Sequence, residues 1–193
     1  MPATTREMLI EAGMDLFYQH GFHAVGLDQI LARVGVTKTT FYNHFESKDE
    51  LAIAVLHERD KRETEDMLSA VKKRAGGDPR SEILAMFDVV EELLAAPDFR
   101  GCMFMKASSE YPSPNDPVHK AAMVHGENLF REFRVRAGKA GAPDPVQVAS
   151  QLMLVLTGAI LSRHSRGVPD QARSARAAAG VIVDSALRAA ALT

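Results

Sequence analysis

Apolar residues recur at every third or fourth position along most of this chain, which is the repeat of one face of an α-helix. In the first such segment, Met8, Ala12 and Leu16 fall on a single stripe with their neighbours Leu9 and Phe17. Alternating runs of β-branched residues do not occur, and no Asn-Gly pair separates two apolar runs as in a hairpin. The pattern therefore predicts an all-α fold.

Capping residues and chain breakers set the ends of the predicted helices. Thr4 or Thr5 suits the start of the first helix and Gly21 suits its end, while Ser47 with Glu50 forms a capping box for the fourth. Proline and glycine breaks separate the later segments. The predicted helices cover residues 5–20, 27–34 and 38–45, then about 48–74, 80–95, 101–110, 116–138, 145–165 and 170–190.

The segment from Leu27 to Lys48 has the organisation of a helix-turn-helix. Two short helices are joined at Gly35-Val36-Thr37, where glycine lets the chain reverse and threonine caps the next helix. Short units of this kind also occur in proteins that do not bind DNA. The pattern alone therefore leaves both a DNA-binding head and a protein-interaction module open.

The outward face of the third predicted helix has the chemistry of a DNA-reading surface. At 100° per residue, Phe41 and Phe45 fall on the core side, and Thr39 and Asn43 fall opposite. The outward residues include no acid, which would repel phosphate. Asparagine and threonine can bond base edges in a major groove, and tyrosine and lysine commonly bind phosphate.

Residues 5–55, about a quarter of the chain, resemble the TetR family of repressors at many fixed spacings. Two positions depart from the family pattern: Thr39 stands where glycine is most common, and Gly26 stands where a Thr or Ser cap is usual. The matching positions are Ala12, Leu16, Phe17, Gly21-Phe22, Ile30, Gly35-Val36-Thr37-Lys38, Thr40-Phe41-Tyr42, His44-Phe45, Lys48 and Leu51.

The resemblance implies a division of labour along the chain. Residues 1–50 are expected to form a three-helix DNA-binding head, and residues 51–193 a larger helical domain for effector binding and dimerisation. The protein would then be a homodimeric repressor of a palindromic operator, released by a small ligand, and not an enzyme. The residues expected to contact double-stranded DNA are Lys38, Thr39, Thr40, Tyr42, Asn43, His44 and Lys48.

Methionine and phenylalanine are frequent in the middle of the chain, as in adaptable apolar pockets. They predict a small, largely apolar effector with few polar anchors, although ordinary core residues would give the same composition. The residues predicted to line this pocket are Phe87, Met103, Phe104, Tyr111, Met123, His125 and Phe130.

Cys102 is the single cysteine, and it stands at the predicted start of a helix after Arg100. Both features favour a lowered thiol pKa and greater reactivity. The Gly101-Cys102 pair is also similar to one found in a TetR subgroup in which some members sense electrophiles or oxidants. Two alternatives stay open: Cys102 is a redox sensor, or it is a buried and inert side chain.

In relatives, the last two long helices pack across the dimer axis. Here these helices would be residues 145–165 and 170–190, and small residues would allow close approach. The small residues are Ala172, Ala175, Ala178, Ala179, Gly180 and Ala186. An alanine-rich composition without such a role is the alternative.

Composition narrows the function classes further. The 193 residues are 46% hydrophobic and 25% charged with a net charge of −2, which gives no support to non-specific nucleic-acid binding by the whole chain. One cysteine excludes an internal disulfide, and with the lack of a signal-peptide pattern it favours the cytoplasm. The longest apolar stretch, Leu152 to Leu161, is short for a membrane span and predicts a buried helix.

Motifs for chemistry are missing from the sequence. None of the seven histidines lies four residues from another, and no phosphate-binding loop or nucleophile elbow occurs. We therefore expect no metal, cofactor or catalytic residue. A small helical enzyme using Cys102 is the remaining alternative, without a visible base. The sequence does not identify the effector, the operator or the regulated genes, nor does it separate repression from activation.

Overall fold

The computed structural model describes residues 3–166 and 171–190, and within these ranges all regular secondary structure is α-helical. The described helices follow the predicted ones closely, and most ends differ by two residues or fewer. They are α1 (Thr5–His20), α2 (Leu27–Val34), α3 (Lys38–Tyr42), α4 (Lys48–Ala75), α5 (Pro79–Ala95), α6 (Met103–Glu110), α7 (Pro117–Lys139), α8 (Pro145–Arg166) and α9 (Gln171–Ala190).

Side-chain caps explain why these helices begin where they do. Thr4 and Glu7 form a reciprocal capping box at α1. Asp78 accepts the N–H of Ser81 at 2.8 Å, and Pro79 occupies the first position of α5. At the start of α8, Asp144 accepts the N–H of Gln147 at 2.9 Å. Each cap satisfies a main-chain donor that the first helical turn leaves free.

The chain packs as two compact units. The first unit runs to Glu63 and also contains Cys102–His125, and the second contains Thr64–Gly101 and the residues from Gly126 onward. The first unit is built around fully buried aromatic rings, with Phe17 and Phe22 stacked at 4.8 Å. The predicted functional boundary at residue 50 does not coincide with this division, because α6 and the start of α7 join the core of α1–α3.

The second unit is formed around α5, α8 and α9, which pack on one another. Its core contains Phe87 and Phe133, whose ring centroids lie 5.7 Å apart. A buried arginine, Arg136, lies 3.0 Å from Glu82 of α5 and also pairs with Glu132 one turn earlier. The carboxylates thus compensate a charge that is only 8% exposed.

Helix α8 is less covered than the sequence predicted. Residues Pro145–Arg163 are long and apolar enough to cross a membrane by length and composition, yet only 28% of this stretch is buried within the chain. The expectation of a buried helix is therefore wrong. Leu154 is 74% exposed, and Val146 and Leu161 are each 52% exposed. Apolarity along the sequence does not reveal whether the same chain or another surface covers a helix.

Most of the small residues of α9 serve a different contact from the one predicted. Ala172, Ala175 and Ala179 are already buried in the core of the second unit, where α9 packs against α5 and α8. Gly180 approaches Leu84 of α5, since an added Cβ would lie 3.9 Å from that side chain. The buried small residues therefore permit close packing within the chain.

Candidate nucleic-acid interface

The helix-turn-helix is confirmed in its local geometry. Gly35 adopts a left-handed conformation with φ of 79°, and its N–H donates to the carbonyl of Leu31 at 2.8 Å. Two residues later, the hydroxyl of Thr37 accepts the N–H of Thr40 at 3.2 Å and caps α3. Without a side-chain cap, Gly26 starts α2 by donating its N–H to the Gln29 side chain at 2.7 Å.

Helix α3 ends at Tyr42, three residues earlier than predicted. The N–H groups of His44 and Phe45 both donate to the carbonyl of Phe41, at 2.9 and 3.0 Å, so the chain tightens into a turn. It must turn there because Ser47 begins the next helix by accepting the N–H of Glu50 at 3.1 Å. The predicted sidedness nevertheless holds, since Phe41 and Phe45 are 0% and 1% exposed.

Five of the seven predicted DNA-contacting side chains lie exposed on one short stretch. These are Lys38, Thr39, Tyr42, Asn43 and His44. Tyr42 is 56% exposed, and its ring lies edge-on to the buried ring of Phe41 at 5.4 Å. The phenol therefore projects from a rigid base. Thr40 is less available than these five residues. It is half-buried, and its hydroxyl lies 3.0 Å from that of Thr37 at the helix cap.

The surface around α3 is less basic than a DNA-binding face is expected to be. Residues 1–50 contain four lysines and arginines against seven aspartates and glutamates. No acid lies within residues 38–44, as predicted, but the Lys38 ammonium is 3.0 Å from Asp28 of α2. The face thus offers mainly hydroxyl, amide and imidazole groups, with its nearest cation already paired.

Lys48 stands at the start of the long helix α4, as the resemblance implied, and its side chain already has partners within the first unit. Its ammonium donates to two carbonyls of the loop between α1 and α2, Phe22 at 2.8 Å and Val25 at 2.9 Å. One of its three N–H groups is left for any other partner. The contact between Lys48 and phosphate stays a prediction, while its contact with the loop is structural.

Sequence reasoning did not predict the contacts that side chains of α6 make with the end of α1 and with the loop that follows it. Glu110 accepts the N–H groups of Phe22 and His23, and Lys106 donates to the Tyr18 carbonyl. The two residues of each hydrogen bond lie 87 or 88 positions apart in the sequence. No local pattern in the sequence indicates such contacts. The one related local feature is Gly21, where a side chain would collide with Glu110.

The seven residues predicted to line an effector pocket are divided between the two units. Met103, Phe104 and Tyr111 are buried in the first unit, and Phe87 and Phe130 pack in the second. In addition, Met123 of the first unit is 47% exposed. A pocket shared by all seven stays a prediction.

His125, one of the residues predicted to line the pocket, has three close neighbours in the first unit. Its ring stacks on Phe104 with centroids 4.0 Å apart and an interplanar angle of 8°. Nδ1 lies 2.8 Å from Asp60, and Nε2 lies 3.8 Å from Glu63. Phe104 and His125 are thus brought together, with two carboxylates alongside.

Tyr111 is buried in the first unit and is hydrogen-bonded within it. Its hydroxyl donates to Asp49 at 2.7 Å. Burial raises the pKa of Tyr111, and the bond to Asp49 raises it further. The phenol therefore stays protonated and serves as a donor within the fold.

A groove in the second unit was not predicted. It has a volume of about 470 Å³ and runs between the first half of α8 and the second half of α9. Gln147, Gln151, Val181 and Ser185 are among its lining residues, and none of the seven predicted pocket residues lines it.

The predicted reactivity of Cys102 is not supported by its surroundings. The residue stands at the N-cap of α6, as expected. Burial, however, raises the pKa of the thiol and outweighs the main-chain N–H groups of Met105 and Phe104, which lower it. The expectation of a lowered pKa is therefore wrong. A sensing role stays a prediction, now for a thiol that is mostly protonated at neutral pH.

Among the described residues, no group of three or more His, Cys, Asp and Glu side chains is arranged to hold a metal ion. The arrangement that the structure does provide is a short, exposed, acid-free face mounted on two buried phenylalanine rings. Such a face can enter a nucleic-acid groove and bond with base edges and phosphates.

Comparisons with known proteins place these observations in a family. The family model for bacterial regulatory proteins of the tetR family matches residues 9–55. The crystal structure of a TetR-type transcriptional regulator from Streptomyces avermitilis, SAV143, is similar over 95% of this chain and 98% of its own, with 32% identity and a TM-score of 0.81.

Two curated relatives match the N-terminal and middle parts of the chain. The transcriptional activator FasR of Mycolicibacterium smegmatis is 37% identical over 92 residues, 45% of this chain and 40% of its own length. The transcriptional repressor NemR of Escherichia coli is 32% identical over 118 residues, 61% of this chain and 59% of its own length. The matches thus span less than two thirds of either relative.

Proposed function

Because the chain belongs to the TetR family of transcriptional regulators, whose members bind DNA, usually act as dimers and are not enzymes, we propose that it represses transcription from a palindromic operator. In this proposal residues 1–50 read the DNA. Residues 51–193 form the dimer and bind a small effector that releases the operator. In this proposal the protein acts in the cytoplasm and has no membrane partner.

The observation that carries this proposal is the exposed face of α3. In this proposal Thr39 and Asn43 supply a hydroxyl and an amide for base edges, and Tyr42 and Lys38 bind phosphate, Lys38 in exchange for its exposed pair with Asp28. The rings of Phe41 and Phe45 support the face from behind. An exposed polar face with this support is suited to a rigid docking contact.

The exposed side of α8 supports dimerisation. Val146, Leu154 and Leu161 are all exposed, and at 100° per residue they fall with Ser150 and Thr157 within an arc of about 80°. Val181 of α9 adds a further apolar side chain that is 67% exposed. Apolar stripes of this kind are usual at subunit interfaces. A two-fold dimer would set two α3 faces about 34 Å apart, one turn of DNA.

Release of the operator requires an effector that prefers a conformation that does not fit DNA. A small, largely apolar molecule suits the Met- and Phe-rich middle of the chain, and the stacked pair of Phe104 and His125 would be its contact in the first unit. An electrophile or oxidant acting at Cys102 is the second form of this effector hypothesis. This second form requires that Cys102 first become exposed to solvent, because its burial disfavours the thiolate.

Activation of transcription is the alternative to repression. One relative, FasR, is named an activator, whereas NemR is named a repressor. Both roles use the same operator contact. A reporter gene in which the operator overlaps the promoter, or lies upstream of it, separates the two roles by the sign of the response.

The proposal is tested by substitutions within residues 38–44, with DNA selected by the protein from randomised duplexes. Tyr42→Ala should weaken binding to all sequences alike, since the phenol is assigned to phosphate. Asn43→Ala should mainly relax sequence preference, by about 1–3 kcal/mol at the base pair it contacts. Fluorescence anisotropy against matched and mismatched duplexes measures both. Equal losses on every duplex from both variants would refute the assigned roles, and no selected duplex at all would refute DNA reading.

A further inference from the structure

The loop between α1 and α2, residues 21–26, is held from two sides by charged side chains of the first unit. On one side, the Lys48 ammonium binds the carbonyls of Phe22 and Val25. On the other side, the Glu110 carboxylate accepts the N–H of Phe22 at 3.1 Å and that of His23 at 2.6 Å. A cation and an anion thus bind complementary main-chain groups of one short loop.

The loop has a shape that admits the carboxylate. Gly21 has a φ of 89°, in the left-handed region that favours glycine. A Cβ at this position would lie 2.7 Å from the Glu110 Oε1 atom, which is closer than side-chain carbons approach. Glycine therefore provides both the turn and the room for Glu110.

The position of Glu110 is fixed by its neighbours on the same helix. One turn earlier, the Lys106 ammonium donates to the Tyr18 carbonyl at 2.9 Å and lies 5.2 Å from the centre of the Tyr18 ring. At the next residue, the Tyr111 hydroxyl donates to Asp49 at 2.7 Å. Lys106, Glu110 and Tyr111 thus attach α6 and the residue that follows it to α1, to the loop and to the start of α4.

We propose that Glu110 is a positioning residue for operator binding, which acts through the α1–α2 loop from outside the helix-turn-helix. The loop leads directly into α2, so its conformation sets the entry of the pair α2 and α3. When the loop is released, the α3 face occupies a wider range of orientations. Only a fraction of them fits DNA, and the apparent affinity falls by that fraction. This inference rests on the proposed DNA-binding function.

Charge alone predicts the opposite result. Removal of a carboxylate near a DNA-binding surface reduces repulsion of phosphate and should strengthen binding. Loss of positioning should weaken it. The sign of the change for Glu110→Gln, which keeps the shape and one acceptor oxygen, therefore separates the two effects.

The experiment uses the full chain and a duplex selected by this protein from a randomised library. We expect Glu110→Ala to lower operator affinity roughly tenfold and Glu110→Gln about threefold, since charge-assisted bonds to two N–H groups are lost or weakened. Glu127→Gln is the matched control, because it removes one carboxylate from an exposed position of α7 in the second unit. Its affinity should equal that of the wild type.

Two further measurements distinguish positioning from direct contact. Hydrogen exchange at the amides of Phe22 and His23 should accelerate in both Glu110 variants, while the melting temperature of Glu110→Gln stays near that of the wild type. The slope of affinity against salt should not change, because Glu110 neutralises no phosphate.

Tighter or unchanged binding by Glu110→Gln together with faster amide exchange would overturn the inference and leave the proposed function intact. A changed salt slope, or an equal loss of affinity in Glu127→Gln, would also overturn it. Failure of the wild type to select any duplex would instead remove the proposed function on which the inference rests.

Discussion

Leu154 offers the sharpest test of how two copies of this chain associate. It is the most exposed of the large apolar residues on α8, at 74%, and it lies on the stripe with Val146 and Leu161. Transfer of a leucine from full exposure to full burial stabilises by about 1.5–3 kcal/mol. If α8 is covered in the dimer, Leu154→Ala should remove much of this contribution from each protomer.

In a two-fold dimer every substitution occurs twice. Allowing for the exposed fraction, the loss is about 1–2 kcal/mol per protomer and about 2–4 kcal/mol per dimer. At 1.4 kcal/mol per factor of ten, the dimer dissociation constant should rise roughly 30-fold to several hundred-fold. The helical content of each chain should not change, because the side chain contributes little to the core of its own unit.

Sedimentation equilibrium measures the association constant, and anisotropy with the selected duplex measures operator binding at the same protein concentrations. Leu93→Ala is the control, since this leucine of α5 is also exposed, at 41%, but lies outside α8 and α9. It should dimerise as the wild type does. Wild-type association of Leu154→Ala, or equal dissociation of Leu93→Ala, would refute the assignment of the interface to α8.

Two other predictions follow from pKa shifts. Iodoacetamide should alkylate Cys102 more slowly in the native chain than in the denatured chain at neutral pH, because burial raises the thiol pKa; a faster native reaction would contradict this. The bidentate bond from Arg80 lowers the pKa of Asp184, so the stability from this pair is full above the unfolded-state pKa of about 3.9 and is lost as pH falls through the folded-state pKa. Asp184→Asn should therefore lower the free energy of unfolding at pH 7 but match the wild type in strong acid, and a difference that is independent of pH would contradict the argument.

The helices and the exposed polar face at residues 38–44 were predictable because their signals are local. Gly35, Thr37 and Ser47 set the turn and the caps within four residues of the groups they bind, and the sequence shows each of them directly. The early end of α3 was missed for a related reason. The apolar repeat of the sequence continues to Phe45. The helical main-chain hydrogen bonds of α3 stop earlier, because the chain must turn to begin α4.

The surroundings of the predicted pocket residues and the contacts of Glu110 were not predictable, because they depend on residues distant in sequence. Phe104 and His125 stack, whereas Phe87, of the same residue type and predicted to share their pocket, is part of another core. Likewise, the contact of Glu110 with Phe22 and His23 has no counterpart in spacing or composition. Burial also reversed the expected pKa shift of Cys102, since a helix start lowers a thiol pKa only where solvation permits the charge.

The charge of residues 1–50 bears on how the proposed operator binding would depend on dimerisation. With four basic and seven acidic residues in positions 1–50, and with Lys38 paired to Asp28, a single head attracts phosphate weakly. In the proposed operator complex, we expect the affinity to come mainly from short-range bonds of residues 38–44, which form only when this face is correctly oriented. In the proposed dimer, two heads would bind a palindrome together, because the second contact forms at a high effective concentration once the first has formed. Under this proposal, operator binding should depend both on the apolar stripe of α8 and on the loop held by Glu110.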